Sequence, residues 1–196
     1  MNWNQGADQF LEALSSSEPT PGGGAAAAMS GAMGCALLLM AIGTTLKRKR
    51  TPEEHKAPLH KFHHDLLNRQ QELKILMQQD AQAYEAYVSA QRLPAQDVTR
   101  AEKLQQALWQ AALVPAEIAT RTKQTLQEIP VLTPFIAPII LSDVRCAQHL
   151  LKSAWACSVE NIQINLQGIT NPSRAEKLKQ LLASLKEGMN HESNPA

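Results

Sequence analysis

Residues 22–50 read GGGAAAAMSGAMGCALLLMAIGTTLKRKR, and the fold turns on whether this run belongs in lipid or in a protein core. From Ala25 to Thr45 there is no charge over about the length of a membrane span, and Lys47, Arg48, Lys49 and Arg50 follow like a positive-inside flank. The run is nevertheless mostly alanine, glycine and other small residues, with Leu37, Leu38, Leu39, Met40 and Ile42 confined to its second half. Small residues give little drive into lipid but let helices approach closely, so the run predicts a helix packed inside a soluble bundle.

Helix is also the signal on either side. No long stretch alternates with period two and β-branched residues are sparse, which makes the expected fold class all-α. A short amphipathic helix over residues 3–14 carries Phe10, Leu11 and Leu14 and leads into a loop rich in serine and proline. Thr51-Pro52-Glu53-Glu54 combines an N-cap threonine, a proline in the first helical position and a glutamate three residues after the cap. It predicts a helix to about residue 91, with a possible kink at Pro58 and a stop at Leu93-Pro94. At about 1.5 Å per residue this is a rod of roughly 50 Å, suited to a long-helix bundle that dimerises through helix faces. Further helices are expected over residues 96–113 and 116–128, kinked or separated at Pro115, then over 139–166, and from Asn171-Pro172 to Leu185. Residues 130–138, with three prolines, read as a loop or broken turn, and 191–196 as a frayed tail.

The 196 residues suit a single domain over the whole of 1–196. Lysine and arginine (19) nearly cancel aspartate and glutamate (18), which leaves no global field to gather nucleic acid. Three widely spaced cysteines, Cys35, Cys146 and Cys157, sit in apolar stretches and read as reduced core residues. The first twelve residues lack the basic start, apolar run and cleavage site of a secretory signal, so the expected location is cytoplasmic, with no membrane partner.

Several residues could carry chemistry. On the third helix Leu59, Phe62, Leu66, Leu73, Met77, Tyr84 and Tyr87 form an apolar stripe, and Asp80 falls on it where a leucine belongs. Desolvation makes its charge costly, so it is either paired inside the bundle, capping a neighbouring helix, or tuned for proton transfer. The fifth helical pattern runs Asp143, Ala147, Leu150, Ala154, Cys157, Asn161 and Asn165, polar at both ends. Asp143 is either a helix-start residue or a site carboxylate, and the two asparagines orient a ligand edge or satisfy buried backbone. Gly22, Gly23 and Gly24 before a helix permit close backbone approach to an anion, or form only a flexible loop. Lys47 and its basic neighbours bind a polyanionic tail or complement a helix dipole. His60 and His64 lie one turn apart, beside His63 and Asp65, but a third dedicated ligand is missing and no metal is expected.

The string Glu18-Pro19-Thr20-Pro21-Gly22-Gly23-Gly24, opening onto the small-residue helix, resembles the start of the formimidoyltetrahydrofolate cyclodeaminase family, which includes free-standing methenyltetrahydrofolate cyclohydrolases. Later landmarks follow in that family's order: Asp80-Ala81-Gln82-Ala83-Tyr84, Leu93-Pro94, the alanine-rich approach to Pro115, Ser142-Asp143, and Asn161-Ile162-Gln163-Ile164-Asn165-Leu166. The resemblance spans nearly the whole chain. It implies a helical homodimer acting on a tetrahydrofolate derivative, with Asp80 and Asp143 as catalytic carboxylates and no cofactor beyond the folate substrate. Gly22, Gly23, Gly24, Lys47, Asn161 and Asn165 become substrate-binding candidates, with the folate's glutamate tail meeting Lys47. The implied reaction is cyclodeamination of formiminotetrahydrofolate to methenyltetrahydrofolate and ammonia. The alternatives are methenyltetrahydrofolate cyclohydrolysis and a non-catalytic helical dimer of the same descent. The chain departs from the family pattern at Ala25, where a small hydroxyl residue is usual, at Gly43 for an asparagine, and at Ala95 for a basic residue.

Overall fold

The computed structural model describes residues 3–189, all of whose regular structure is helical. The helices are α1 (Trp3–Ser15), α2 (Gly23–Leu46), α3 (Glu53–Gln91), α4 (Arg100–Leu132), α5 (Leu141–Gln167) and α6 (Pro172–Lys186). Two 3₁₀ turns, Thr133–Phe135 and Pro138–Ile140, join α4 to α5. The tail expected over 191–196 lies outside the described residues.

Helices α2 to α5 form an antiparallel four-helix bundle in which α2 packs between α3 and α5, and α4 closes the opposite side. Small residues let α2 sit this deeply. A Cβ on Gly34 would come within 2.7 Å of Leu151 Cγ, and one on Gly31 within 3.0 Å of Thr122 Cγ2. The inner face of α2, including Ala28, Cys35, Leu38, Ala41 and Ile42, is almost completely buried with Leu59, Leu66, Leu73, Ile118 and Leu151. Truncating one such leucine to alanine typically costs about 2–5 kcal/mol. By length and composition α2 is apolar enough to cross a membrane, yet more than half of it is buried by its own bundle. Its outer stripe is different: Met33 and Met40 are 46% and 43% exposed. Helix α6 lies on α4 and α5, where Leu178 and Leu185 join Ile162, Ile169, Ala112 and Ala119 in a second core.

Five local expectations are corrected. Thr51 does not cap α3; its hydroxyl donates to the Thr45 carbonyl at 2.5 Å, and Pro52 takes the position before the first turn. Helix α4 runs unbroken through Pro115 and Pro130 to Leu132, because it is wedged in the core and buries Ala112, Pro115, Ala116, Ile118 and Ala119. Packing on that scale outweighs the ~3 kcal/mol that an interior proline costs. The start of α4 is later than expected: Asp97 accepts hydrogen bonds from the Thr99 amide (2.8 Å) and hydroxyl (2.7 Å), holding residues 97–99 as a turn. Of the cysteines only Cys35 is a core residue, its thiol pushed by burial up to about 11; Cys146 and Cys157 are exposed. On α5 the buried face follows Val144, Ala147, Leu151, Ala154, Ser158 and Ile162, one position round from the stripe read in the sequence.

Candidate functional site

The first turn of any α-helix leaves amides without intrahelical acceptors. At α2 these belong to Gly23, Gly24 and Ala25, since Gly22 is the residue before the helix and contributes no side chain to cap them. Asp80 of α3 supplies the missing group: its Oδ2 accepts from the Ala25 amide at 2.9 Å. The contact demands a glycine below it. A Cβ on Gly24 would fall 2.5 Å from Asp80 Cγ and 2.7 Å from Oδ2. Gly22 and Gly23 are under no such constraint, their nearest neighbours lying 3.5 Å from a built Cβ. Burial pushes the Asp80 carboxyl above its ordinary value of 3.8, and the Ala25 amide partly opposes that shift.

Asp80 opens onto a cavity of about 440 Å³ at one end of the bundle. Five segments meet there: the Pro19-Thr20 turn, the three glycines, α3 with Tyr84 and Tyr87, α4 with Leu108 and Ala111, and the end of α5 with Asn161, Ile164 and Asn165. Asn161 Nδ2 donates to Cys157 O at 2.8 Å, and Asn165 Nδ2 donates to Ala111 O at 2.8 Å. The second bond follows from the sequence of α4. Pro115 has no N–H for the carbonyl four residues earlier, so Ala111 needs an outside donor and Asn165 provides it. Both side-chain amides thus spend Nδ2 on protein carbonyls, leaving Oδ1 as an acceptor.

The fold therefore gathers six of the residues singled out in the sequence, Gly22, Gly23, Gly24, Asp80, Asn161 and Asn165, around one cavity. It leaves two elsewhere within the chain. Asp143 is in the first turn of α5, about 27 Å along the helix from Asn161. There Ser142 Oγ donates to its Oδ2 at 3.4 Å, and its charge complements the helix dipole. Lys47, exposed just past the end of α2, is about 36 Å along that helix from Gly23. Pro19, Thr20, Leu108 and Ala111 were not legible as site residues. Tyr84 and Tyr87 had been read as core, although their spacings of four and seven from Asp80 put them on its face. Among the described residues no three His, Cys, Asp or Glu side chains converge as a metal site; His64 Nε2 is instead 3.1 Å from Asn68 Nδ2.

Comparison with known proteins gives a consistent set of relatives. The sequence model described as formiminotransferase-cyclodeaminase matches residues 6–184. A methenyltetrahydrofolate cyclohydrolase of Methylorubrum extorquens is 30% identical over 192 residues, covering 95% of this chain and 92% of that protein. The formimidoyltransferase-cyclodeaminase of Sus scrofa is 30% identical over 183 residues, which is 90% of this chain but only 33% of that protein. Among solved structures, the fold is similar to the formiminotetrahydrofolate cyclodeaminase of Thermotoga maritima, with a TM-score of 0.83 at 25% identity, covering 97% of this chain and 91% of that one.

Proposed function

The chain belongs to the formiminotransferase-cyclodeaminase family, and from that membership we propose that it is a folate-dependent one-carbon enzyme, a formimidoyltetrahydrofolate cyclodeaminase. The observation that carries the reading is the half-buried Asp80, its pKa raised, held against the first turn of α2 in a cavity with two tyrosines and two asparagines.

In the proposed reaction the formimino group enters protonated, as an amidinium, and the folate N10 attacks its carbon, borne on N5. A carbon–nitrogen bond forms and N10 gives up a proton. The exocyclic amine of the tetrahedral intermediate takes up a proton and leaves as ammonia, and breaking that bond yields the methenyl bridge. Asp80, ionised, receives the first proton and, once neutral, returns it to the departing amine. A carboxyl whose pKa is raised is better matched to both transfers than an ordinary one. The atoms balance with the folate and this proton alone, so the reaction calls for no further cofactor. Tyr84 and Tyr87 offer faces for the substrate's rings, and the free Oδ1 atoms of Asn161 and Asn165 accept from pterin N–H groups. Asp143 takes no part in this scheme; its place is the electrostatics of the α5 start.

Cyclohydrolysis is the second reading, favoured by the near-complete match to a protein named for that activity. Water then attacks the methenyl carbon, the ring opens to formyltetrahydrofolate, and Asp80 accepts the proton released. The protein is proposed to act as a cytoplasmic homodimer, a location supported by the free, exposed thiols of Cys146 and Cys157.

The test is an ultraviolet assay that follows the methenyl chromophore against an enzyme-free blank. Enzyme-dependent gain from formiminotetrahydrofolate with ammonia release supports the first reading. Accelerated loss from methenyltetrahydrofolate supports the second, and no change with either overturns both.

A further inference from the structure

The turn between α2 and α3 carries more charge than the helices it joins can balance. The end of α2 is worth about half a negative charge and the start of α3 about half a positive one, so together they offset almost nothing of Lys47, Arg48, Lys49 and Arg50. The turn is closed by the Thr51 amide, which donates to the Arg48 carbonyl at 3.1 Å, and it sorts the cations by type. Arg48 and Arg50 line a hollow of about 270 Å³ formed with residues 134–138, whereas Lys47 and Lys49 do not. Among the described residues no aspartate or glutamate lines that hollow, and neither arginine has a carboxylate partner. Nearby, Glu53 is paired with Lys56, and Glu54 stands in the first turn of α3 outside the lining.

We propose that this hollow is a second ligand site, separate from the Asp80 cavity, and that it binds a small soluble phosphomonoester. Guanidinium forks match phosphate oxygens in pairs, and two of them on one turn repel each other until an anion stands between them. The rest of the wall is apolar: Pro52, Pro134, Phe135, Ile136 and Pro138, with His55 edge-on to Phe135 at 5.2 Å between ring centroids. At about 30 Å³ per water the hollow has room for roughly nine waters, more than a phosphate group fills and enough for a ring-sized body against the prolines. The frame is tied together without a ligand. Thr45 Oγ1 accepts from the Ala137 amide at 3.0 Å, and the Thr45 carbonyl accepts from the Thr51 hydroxyl at 2.5 Å, so both walls hang on one buried threonine. A preformed wall spends little of the binding energy on ordering. The site lies just past the end of α2, about 36 Å along that helix from Gly23, and its assignment does not rest on the folate reading.

Isothermal titration calorimetry of the full chain at low ionic strength tests the assignment, with phenyl phosphate, inorganic phosphate and benzoate as probes. Phenyl phosphate is expected to bind one-to-one with a Kd on the order of 0.1–1 mM. Inorganic phosphate, which lacks the ring, and benzoate, which lacks the second charge, should both bind more weakly. Arg48→Gln combined with Arg50→Gln should weaken phenyl phosphate binding about tenfold or more. Lys47→Gln combined with Lys49→Gln removes the same charge from outside the hollow and should weaken it about threefold or less. All four side chains are exposed, so both variants are expected to keep the helical circular dichroism of the wild type. Equal losses from the two pairs would trace the binding to the general field of the turn and overturn the site. So would phenyl phosphate that does not saturate, or that binds no tighter than inorganic phosphate or benzoate. Binding to phosphatidic acid vesicles but not phosphatidylcholine vesicles, abolished by the arginine pair while phenyl phosphate stays unbound, would give the hollow to a lipid headgroup and overturn the soluble ligand.

Discussion

Asp80 Oδ2 accepts the Ala25 amide at 2.9 Å, so a side chain of α3 caps the helix that precedes it in the chain. Asparagine at position 80 keeps an oxygen for that amide but cannot carry a proton. Asp80→Asn is therefore expected to lower kcat by about 10²-fold or more while the circular dichroism stays helical. Turnover within a factor of a few of wild type would remove Asp80 from the chemistry.

The same carboxyl makes stability depend on pH in a stated direction. Its folded pKa lies above 3.8, so the folded state holds its proton more tightly than the unfolded state does. That contribution is fully present below the unfolded value and is lost as pH rises through the folded one. Urea denaturation should show wild type losing stability relative to Asp80→Asn as pH rises through this window, with the difference flat at higher pH. The opposite slope would mean that the Ala25 hydrogen bond outweighs burial.

Gly24 and Gly23 are adjacent in sequence but not equivalent in space. Gly24→Ala places a methyl group in the Asp80 carboxylate and is expected to cost about 1–3 kcal/mol together with most of the activity. Gly23→Ala meets only ordinary contacts with Asn161 and should be far milder in both. Melting temperatures and kcat/KM of the pair decide the point.

Asn165 and Pro115 should be coupled energetically. Asn165→Ala strands the Ala111 carbonyl and is expected to cost about 1–3 kcal/mol. With Pro115→Ala, residue 115 regains an N–H for that carbonyl, so the same Asn165→Ala change should cost markedly less. A double-mutant cycle in urea measures the difference; strict additivity would refute the link.

Arg69 forms a two-pronged pair with Glu128 (2.8 and 3.0 Å) and donates to Thr125 Oγ1 (3.1 Å) at the α3–α4 contact. Glu128→Gln removes the charge partner of a guanidinium that is only 12% exposed, and should destabilise by about 1–3 kcal/mol. Replacing both residues with methionine should recover much of that loss.

Much of the fold was legible because helix signals are local. The 3.6-residue periodicity, the proline and glycine boundaries and the Asn171-Pro172 start, where Asn171 Oδ1 accepts from the Arg174 amide at 3.1 Å, each involve a few neighbouring residues. Asp80 stood out for the same reason, as a carboxylate on an apolar stripe. Pro115 misled because its cost is local, whereas the compensation, burial and the Asn165 amide, comes from fifty residues away.

By itself, then, the sequence determined an all-helical chain, a long helix built largely of small residues, and the anomalous polar residues that stand out on its apolar stripes. Only the tertiary structure decided which of those residues meet. Antiparallel packing brings the start of α2 beside Asp80 and the end of α5, and the same geometry carries Asp143 and Lys47 to the far half of the bundle. Helical rise turns separation along the chain into distance along a rod, and only the direction in which neighbouring rods pack tells which ends coincide.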